Sequence, residues 1–337
     1  MGAIVHIGYH KTGTTWFQDI FYPAVRNRPY LPRATVRAAF LASGALHFDA
    51  AQARTTLGSA CDSALLCEEN LTGGLHNGGL AGNLSKDIAH RIQATLPDAQ
   101  IVIFVRDPVA AIASAWLQYV KGGGTFGLRR YLFGRDRLSA VAPERDEAPG
   151  FCLEHFDYHR LIAHYDALFG AGRVHVFRYE DFRADPRGFA SAYAARFGLE
   201  VELSQIDWGA RNPSLSRPLL GMARAMNLFT RRAVADKDWL VHVPGWYRLS
   251  RTLLRWANGS GRFGRPLRPG DLIEADLTAW LRAHYAPGAQ ALHARLGWQA
   301  QHDSVSIPPS SGGGTVIRWR QRPLGHDAIA QTPAPRR

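Results

Sequence analysis

Four short, largely apolar segments lie within the first 179 residues of the chain, and helical periodicity returns between them. The runs lie at residues 3–7, 63–67, 101–105 and 173–179. Continuous apolar runs of this length are typical of strands that are buried on both faces of a parallel sheet. Strands separated by helices indicate β-α-β units. The pattern therefore predicts an α/β fold, a single domain whose central parallel sheet is flanked by helices.

Helical periodicity occurs in six segments, and turn residues mark their ends. The segments are residues 14–21, 88–95, 109–120, 158–169, 189–197 and 272–296. Pro108 suits the start of the third helix, and Gly170 and Gly198 suit the ends of the next two. From residue 303 onward, stretches such as PPSSGGGT and TPAPRR are typical of flexible chain. We expect one domain over residues 1–300 and a flexible C-terminal tail over residues 301–337.

The loop after the first predicted strand, GYHKTGTT, is close to a phosphate-binding P-loop. Gly8 and Gly13 have the P-loop spacing, but Thr14 stands where a nucleotide kinase or ATPase has its lysine. The lysine is instead at Lys11. A strand–glycine loop–helix directs backbone N–H groups and the positive end of the helix at an anion. Side-chain donors are available from Lys11, Thr12, Thr14 and Thr15, so the loop predicts a phosphate site.

The strongest predicted strand, IVIFV, ends in Arg106, where a nucleotide triphosphatase would have an acidic residue close to its magnesium ion. A guanidinium group offers phosphate a planar pair of donors. Ser114 lies two helical turns further on, and its hydroxyl can donate as well. The two residues therefore indicate a second anion site, and no metal is required.

Both segments resemble the cofactor motifs of sulfotransferases that use 3′-phosphoadenosine 5′-phosphosulfate (PAPS). Y-H-K-T-G-T-T-W is similar to the family's 5′-phosphosulfate loop, and IVIFVRDPVAAIASAW has its Arg and Ser at the family's spacing. The resemblance implies a P-loop-NTPase-like sulfotransferase fold and metal-independent, in-line transfer of a sulfuryl group to an acceptor hydroxyl or amine. It implies that Arg106 and Ser114 bind the 3′-phosphate. The loop residues implied to bind the cofactor are Lys11, Thr12, Gly13, Thr14, Thr15 and Trp16.

Weaker resemblances extend the match over residues 4–298. FRYEDFRADP is similar to a family segment in which an aromatic residue near the end of a strand contacts the adenine, and this position falls on Tyr179. The alternative is that Tyr179 is a half-buried strand residue without a role in binding. RNPSLS resembles a loop that closes over the nucleotide, which implicates Arg211, Asn212 and Ser214. The R-K-G…G-x-x-K closing segment of the cytosolic animal enzymes has no counterpart, and Arg211 is the candidate to replace it.

A hydroxyl acceptor requires a general base. Glu68 and Glu69 follow the second predicted strand, where alternation turns them to opposite sides. We favour Glu69 because Glu69-Asn70-Leu71 aligns with the last three residues of S-x-E-N-L, a pattern that many bacterial members of the family resemble. A surface or helix-capping carboxylate is the alternative. His10 is the second candidate and His76 the third.

The acceptor site is predicted at residues 117–134, a glycine-interrupted segment. Its aromatic residues Tyr119, Phe126, Tyr131 and Phe133 suggest ring stacking on a sugar or apolar contact with a lipid, and Arg129 and Arg130 suit an acidic acceptor. A partly core-packed helix is the alternative. We expect a carbohydrate or small-metabolite acceptor.

The composition of the chain bears on the kind of ligand and on the cellular compartment. A formal net charge of +12 and a pI of about 10.0 favour polyanionic ligands, although a solvated basic surface explains them equally well. No nucleic-acid motif organises the basic residues, so no specific nucleic-acid partner is expected. Three cysteines without a C-x-x-C pair, no export signal and no apolar stretch of about twenty residues favour the cytoplasm.

Two other functions remain open from the sequence. A P-loop kinase would use ATP and magnesium, but the G-K-[ST] lysine is missing. A non-catalytic scaffold that binds a nucleotide or polyanion would explain the unidentified base. The sequence does not indicate an oligomeric state.

Overall fold

The computed structural model describes residues 2–134, 151–209 and 215–297. All of them belong to one compact unit, Met1–Trp298. The tail that the sequence predicts over residues 301–337 lies outside the described residues.

Four parallel strands form the central sheet. They are β1 Ile4–Gly8, β2 Leu65–Cys67, β3 Gln100–Val105 and β4 Val174–Arg178. Their spatial order is β2-β1-β3-β4, and every neighbouring pair is parallel. Val5, for example, lies opposite both Leu66 and Ile101. Each strand overlaps the apolar run that predicted it, so the α/β class with a single parallel sheet flanked by helices is confirmed.

Helices connect the strands and cover the sheet. The first seven are α1 Thr14–Trp16, α2 Arg33–Phe40, α3 Ala50–Leu57, α4 Gly78–Ala81, α5 Asn83–Thr95, α6 Pro108–Lys121 and α7 Leu128–Phe133. The next six are α8 Tyr158–Phe169, α9 Tyr179–Ala184, α10 Pro186–Phe197, α11 Arg217–Asn227, α12 Trp246–Gly259 and α13 Ala275–Leu296. The helix predicted over residues 14–21 is formed by α1 and a π-helical turn, Phe17–Phe21.

Several boundaries differ from the prediction for local reasons. Tyr179, expected at the end of a strand, is the first residue of α9, where Glu180 and Asp181 occupy the first turn. Acidic side chains there interact favourably with the helix dipole. α6 begins at Pro108, and the Asp107 side chain accepts a hydrogen bond from the N–H of Ala110 at 2.7 Å, which caps the helix.

The pleat of the sheet sends alternate side chains into two separate apolar cores. Val5 and Ile101 belong to the larger core, whereas Ile4 and Val102 belong to the smaller one. Because both faces are covered, β2 and β3 are almost wholly apolar, and this is why apolar runs identified them, whereas the more exposed β4 contains His175 and Arg178. The packed sheet holds the ends of its four strands in fixed positions, and the candidate site is built at these ends.

Candidate functional site

The predicted site residues gather at the carboxyl edge of the sheet. β1 continues into the glycine loop, β2 into Glu68 and Glu69, β3 into Arg106 and β4 into Tyr179. After β1 the chain adds β2 on one side and β3 on the other, so the order of the strands switches direction at β1. Open parallel sheets bind ligands in the crevice at such a switch point.

The glycine loop is braced internally by its own threonines. Thr12 Oγ1 and Thr14 Oγ1 both donate to the carbonyl oxygen of Tyr9, at 2.5 and 3.1 Å. Gly13 precedes α1 with φ of 86°, and a Cβ at this position would lie 3.2 Å from Phe182 Cε1. Glycine is therefore required both for the left-handed backbone and for the close approach of the neighbouring ring.

Lys11 lies half-buried in this loop among other cations. Its Nζ donates to Gln118 Oε1 at 3.1 Å, so the ammonium group points at α6. Burial lowers the pKa of Lys11 to about 8, and the neighbouring charges of Lys121 and Arg106 add to the effect, with Glu69 opposing it. Three clustered cations with one nearby carboxylate favour an anionic ligand.

Arg106 joins the second predicted anion site to the glycine loop. Its Nη1 donates to the carbonyl oxygen of Lys11 at 2.9 Å and to Ser114 Oγ at 3.1 Å. The guanidinium also lies over the ring of Tyr179, with its carbon 4.9 Å from the ring centroid. The structure thus brings together four residues that separate segments of the sequence had predicted: Lys11, Arg106, Ser114 and Tyr179.

Tyr179 and Trp16 are both half-buried but pack against different neighbours. The Tyr179 ring lies near Arg106 and Gly13, and the residue stands in the first turn of α9 and not in the strand. Trp16 packs its ring against Phe182 at 4.9 Å and Trp208 at 5.5 Å between centroids. Trp16 therefore anchors the start of the helix to its neighbours.

The two adjacent glutamates differ in burial, but they do not point to opposite sides as predicted, because Nη2 of Arg33 donates to both carboxylates. Glu68 is fully buried and accepts hydrogen bonds from Arg33 and Arg37 at 2.7–3.3 Å. Burial favours its neutral acid, but these bonds outweigh that effect and hold the pKa of Glu68 at about 2. Glu68 also accepts from the N–H of Asn70, so it caps the following turn. Glu68 has a structural role.

Glu69 turns to the side of Lys11 and remains partly open to solvent, with 20% of its side chain exposed. Its Oε2 accepts from Gln18 Nε2 at 2.7 Å, and its Oε1 accepts from Arg33 Nη2 at 2.6 Å. The carboxylate is therefore held in one orientation at the end of β2.

Of the two candidate histidines, His10 is buried and His76 is half-buried, and both are neutral near neutral pH. Burial lowers the pKa of His10, although Glu69 opposes the shift, and burial lowers the pKa of His76 to about 4. His10 Nε2 pairs with Asn70 Oδ1 at 3.2 Å, which assigns the proton to Nε2. His10 Nδ1 has no hydrogen-bond partner among the described residues. His76 Nδ1 pairs with the hydroxyl of Tyr131 at 2.7 Å.

The aromatic side chains predicted to stack on an acceptor pack inside the protein instead. Tyr119, Phe126 and Tyr131 are at most 6% exposed, and Tyr119 lies 4.7 Å from Tyr131 between ring centroids. The Tyr119 hydroxyl accepts the N–H groups of Thr125 and Phe126, which folds the glycine-rich turn back onto α6. The prediction of an exposed aromatic wall was wrong, and the core-packed alternative is what forms.

Arg129 and Arg130 are likewise engaged within the protein. Arg129 forms ion pairs with Glu274 and Asp276 at 2.6 Å, and Arg130 pairs with Asp238. Phe133 packs against Trp280 with the ring centroids 5.5 Å apart. These contacts attach α7 to the C-terminal half of the domain.

Sequence reasoning missed Gln118 and Lys121, which lie beside Lys11. They stand four and seven residues after Ser114, and residues at this spacing share one face of a helix. The signal was therefore present in the sequence, on the helix that carries the second motif. Arg33, which pairs with Glu69, had no such local signal.

Three predicted cofactor residues, Arg211, Asn212 and Ser214, lie outside the described residues. Within the described part of the chain, no group of His, Cys, Asp and Glu residues is arranged to hold a metal ion. The same part contains no helix that is both long and apolar enough to span a membrane.

Residues 87–203 match the model of the Sulfotransferase family. This segment contains Arg106, Ser114 and Tyr179. The match covers about a third of the chain, and over that segment the chain is similar to this family.

Among solved structures, the chain is similar to the crystal structure of a sulfotransferase from Alicyclobacillus acidocaldarius. The two share 16% sequence identity with a TM-score of 0.42, over 87% of this chain and 86% of that chain. No curated protein sequence matches the chain.

Proposed function

We propose that this protein transfers a sulfuryl group from PAPS to a hydroxyl or amine of an acceptor, without a metal ion. The observation that carries the proposal is the double contact of Arg106, which bonds the carbonyl oxygen of Lys11 and the hydroxyl of Ser114. The contact joins the glycine loop and the arginine–serine pair in one continuous anion site. A single nucleotide with phosphates at its 5′ and 3′ positions suits such a site.

The proposed reaction is an in-line displacement at sulfur. A bond forms between the acceptor oxygen and sulfur while the bond from sulfur to the 5′-phosphate oxygen breaks. By analogy with phosphoryl transfer, the transition state is loose, so positioning and charge stabilisation dominate. Lys11 stabilises the negative charge that develops on the leaving phosphate oxygen. Adenosine 3′,5′-bisphosphate is the product that leaves.

The acceptor proton must pass to a base as the new bond forms, and Glu69 suits this role. Its carboxylate lies at the end of β2 on the side of Lys11, and hydrogen bonds from Gln18 and Arg33 fix its orientation. His10 is the alternative, because it is neutral and its Nδ1 can accept a proton.

The binding site is tested with adenosine 3′,5′-bisphosphate in the presence of a magnesium chelator. We expect measurable binding by calorimetry, and Arg106→Ala should weaken it roughly ten- to hundredfold, because a charge-assisted hydrogen bond contributes about 1.5–3 kcal/mol. Adenosine 5′-monophosphate lacks the 3′-phosphate, so its affinity should change far less. Arg183→Ala, at an exposed arginine of α9, is the matched control.

Two outcomes would contradict this proposal. Binding of ATP that requires magnesium would indicate a kinase. Equal losses of affinity for both adenosine nucleotides in Arg106→Ala would indicate that Arg106 supports the loop and does not recognise the 3′-phosphate.

The affinity for adenosine 3′,5′-bisphosphate should fall as the pH rises through about 8. Lys11 has a pKa of about 8 in the free protein. A bound polyanion favours its charged form, so above this pH binding takes up a proton and weakens with increasing pH. Titration calorimetry between pH 6.5 and 9.5 measures the trend. An affinity that stays constant over this range would show that Lys11 does not contact the ligand.

The acceptor remains the prediction made from the sequence, a carbohydrate or a small metabolite. Incubation with radiolabelled PAPS and a cell extract, followed by identification of the labelled product, tests it. Nucleotide binding without any labelled product would favour the non-catalytic scaffold.

A further inference from the structure

Helix α12 presents apolar side chains to solvent along one face. Leu249, Leu253 and Trp256 are 53, 41 and 72% exposed. Their spacing of four and then three residues places them in one stripe on the helix surface. The buried residues Leu254 and Ala257 lie on another face of the same helix, which packs against α11. The exposed stripe is therefore separate from the face that holds the helix to the protein.

The chain that leads into α12 carries further exposed apolar side chains. Leu240, Val241 and Val243 are 70, 49 and 42% exposed. The N–H groups of Leu240 and Val243 donate to the carbonyl oxygens of Leu228 and Phe229 at 2.8 and 3.1 Å, so the segment is fixed to the end of α11.

Together these side chains form what we call the α12 surface. It comprises Leu240, Val241, Val243, Leu249, Leu253 and Trp256. Isolated exposed apolar residues are common on proteins, but six of them on one helix and the segment that leads into it indicate an interaction surface.

Arginines predominate in the segment that carries the α12 surface, and Asp238 and Asp271 flank it. Residues 239–270 contain six arginines and no aspartate or glutamate. Arg248, Arg255 and Arg262 are exposed. Arg248 and Arg255 are seven residues apart and so lie on one side of the helix. An apolar stripe containing tryptophan, beside arginines and without acidic residues, suits the interface of a bilayer with anionic headgroups.

We propose that the α12 surface docks this protein onto an anionic membrane surface, with α12 lying in the plane of the interface. Charge complementarity favours a bilayer over a second copy of the chain. In a two-fold contact through this surface, each copy would bring the same arginines against the other, and like charges would oppose association.

Docking in this way places the candidate site near the membrane. Tyr247 Oη and Arg251 Nη1 donate to the carbonyl oxygen of Lys121 at 3.0 and 3.1 Å. α12 is therefore attached to the end of α6, where Gln118 contacts Lys11.

The proposal is tested by flotation with lipid vesicles, which requires no substrate or activity. Wild-type protein should float with phosphatidylcholine vesicles that contain about 30 mol % phosphatidylglycerol and much less with pure phosphatidylcholine. The triple variant Leu249→Gln, Leu253→Gln, Trp256→Gln keeps the net charge of +12. Its partitioning should fall more than about tenfold, because three apolar side chains no longer enter the interface. The control is Leu46→Gln, at a leucine that is 97% exposed and outside this surface.

The arginines are tested separately. Arg248→Gln with Arg255→Gln should reduce partitioning about fivefold for each arginine, and added salt should reduce it further. Arg26→Gln with Arg282→Gln removes the same charge at exposed positions elsewhere and should have a smaller effect.

Three results would overturn the proposal. The first is no flotation with anionic vesicles at low ionic strength. The second is undiminished flotation of the triple variant, which would assign binding to net charge alone. The third is a dimer in sedimentation experiments that the triple variant abolishes without any vesicle binding, which would assign the surface to a second copy of the chain.

Discussion

Replacing Lys11 with alanine should lower turnover more than about a hundredfold, because a positioned charge at a developing anion contributes about 3–4 kcal/mol to transition-state stabilisation. The effect should fall mainly on kcat, since Arg106 and Ser114 still bind the other end of the nucleotide in the proposed site. Steady-state kinetics with PAPS and an identified acceptor measure it. Lys86→Ala, at an exposed lysine of α5, is the matched control.

Lys11→Arg separates charge from geometry. An arginine keeps the positive charge but cannot occupy the same position beside Gln118. We expect partial recovery of turnover relative to Lys11→Ala. Near-wild-type turnover in Lys11→Ala would refute the proposed role of this residue.

The second large effect is expected for Glu69→Gln, which keeps the shape of the side chain but removes its ability to accept a proton. General base catalysis contributes about a hundred- to ten-thousandfold, so turnover should fall within this range. The affinity for adenosine 3′,5′-bisphosphate should be preserved, which calorimetry can verify. Glu200→Gln, at an exposed glutamate, is the matched control.

His10 provides the discriminating comparison. Unchanged turnover in Glu69→Gln together with a large loss in His10→Gln would transfer the role of base to the histidine. Because Arg33 bonds both Glu68 and Glu69, thermal unfolding of each variant must be compared with that of the wild type.

Local sequence predicted the strands and the loop because their signals are local. Apolar runs mark β1 and β3 since both faces of the sheet are covered. Strand alternation after β2 did not place Glu68 and Glu69 on opposite sides, because the strand ends at Cys67 and Arg33 bonds both carboxylates. Local sequence could not predict which aromatic side chains are buried, because their burial depends on tertiary contacts. Tyr119 and Tyr131 look the same in sequence whether they face a ligand or a core, and only the folding of α7 onto α6 buries them.

The hydrogen bond from Arg106 to the carbonyl oxygen of Lys11 likewise could not be predicted from local sequence. The motifs predicted two anion sites but not the hydrogen bond that joins them, because it depends on β1 and β3 being neighbours. The pairing of Glu69 with Arg33 also required the fold, since Arg33 stands in α2, far from any recognisable motif.

The bond between Lys11 and Gln118 bears on how quickly the proposed enzyme could begin a new cycle. The amide oxygen gives the half-buried ammonium a neutral partner. In the proposed reaction, a nucleotide phosphate that binds Lys11 replaces this bond, and the bond forms again when the nucleotide leaves. The glutamine would therefore compete for Lys11 with substrate and product alike and lower the affinity for both.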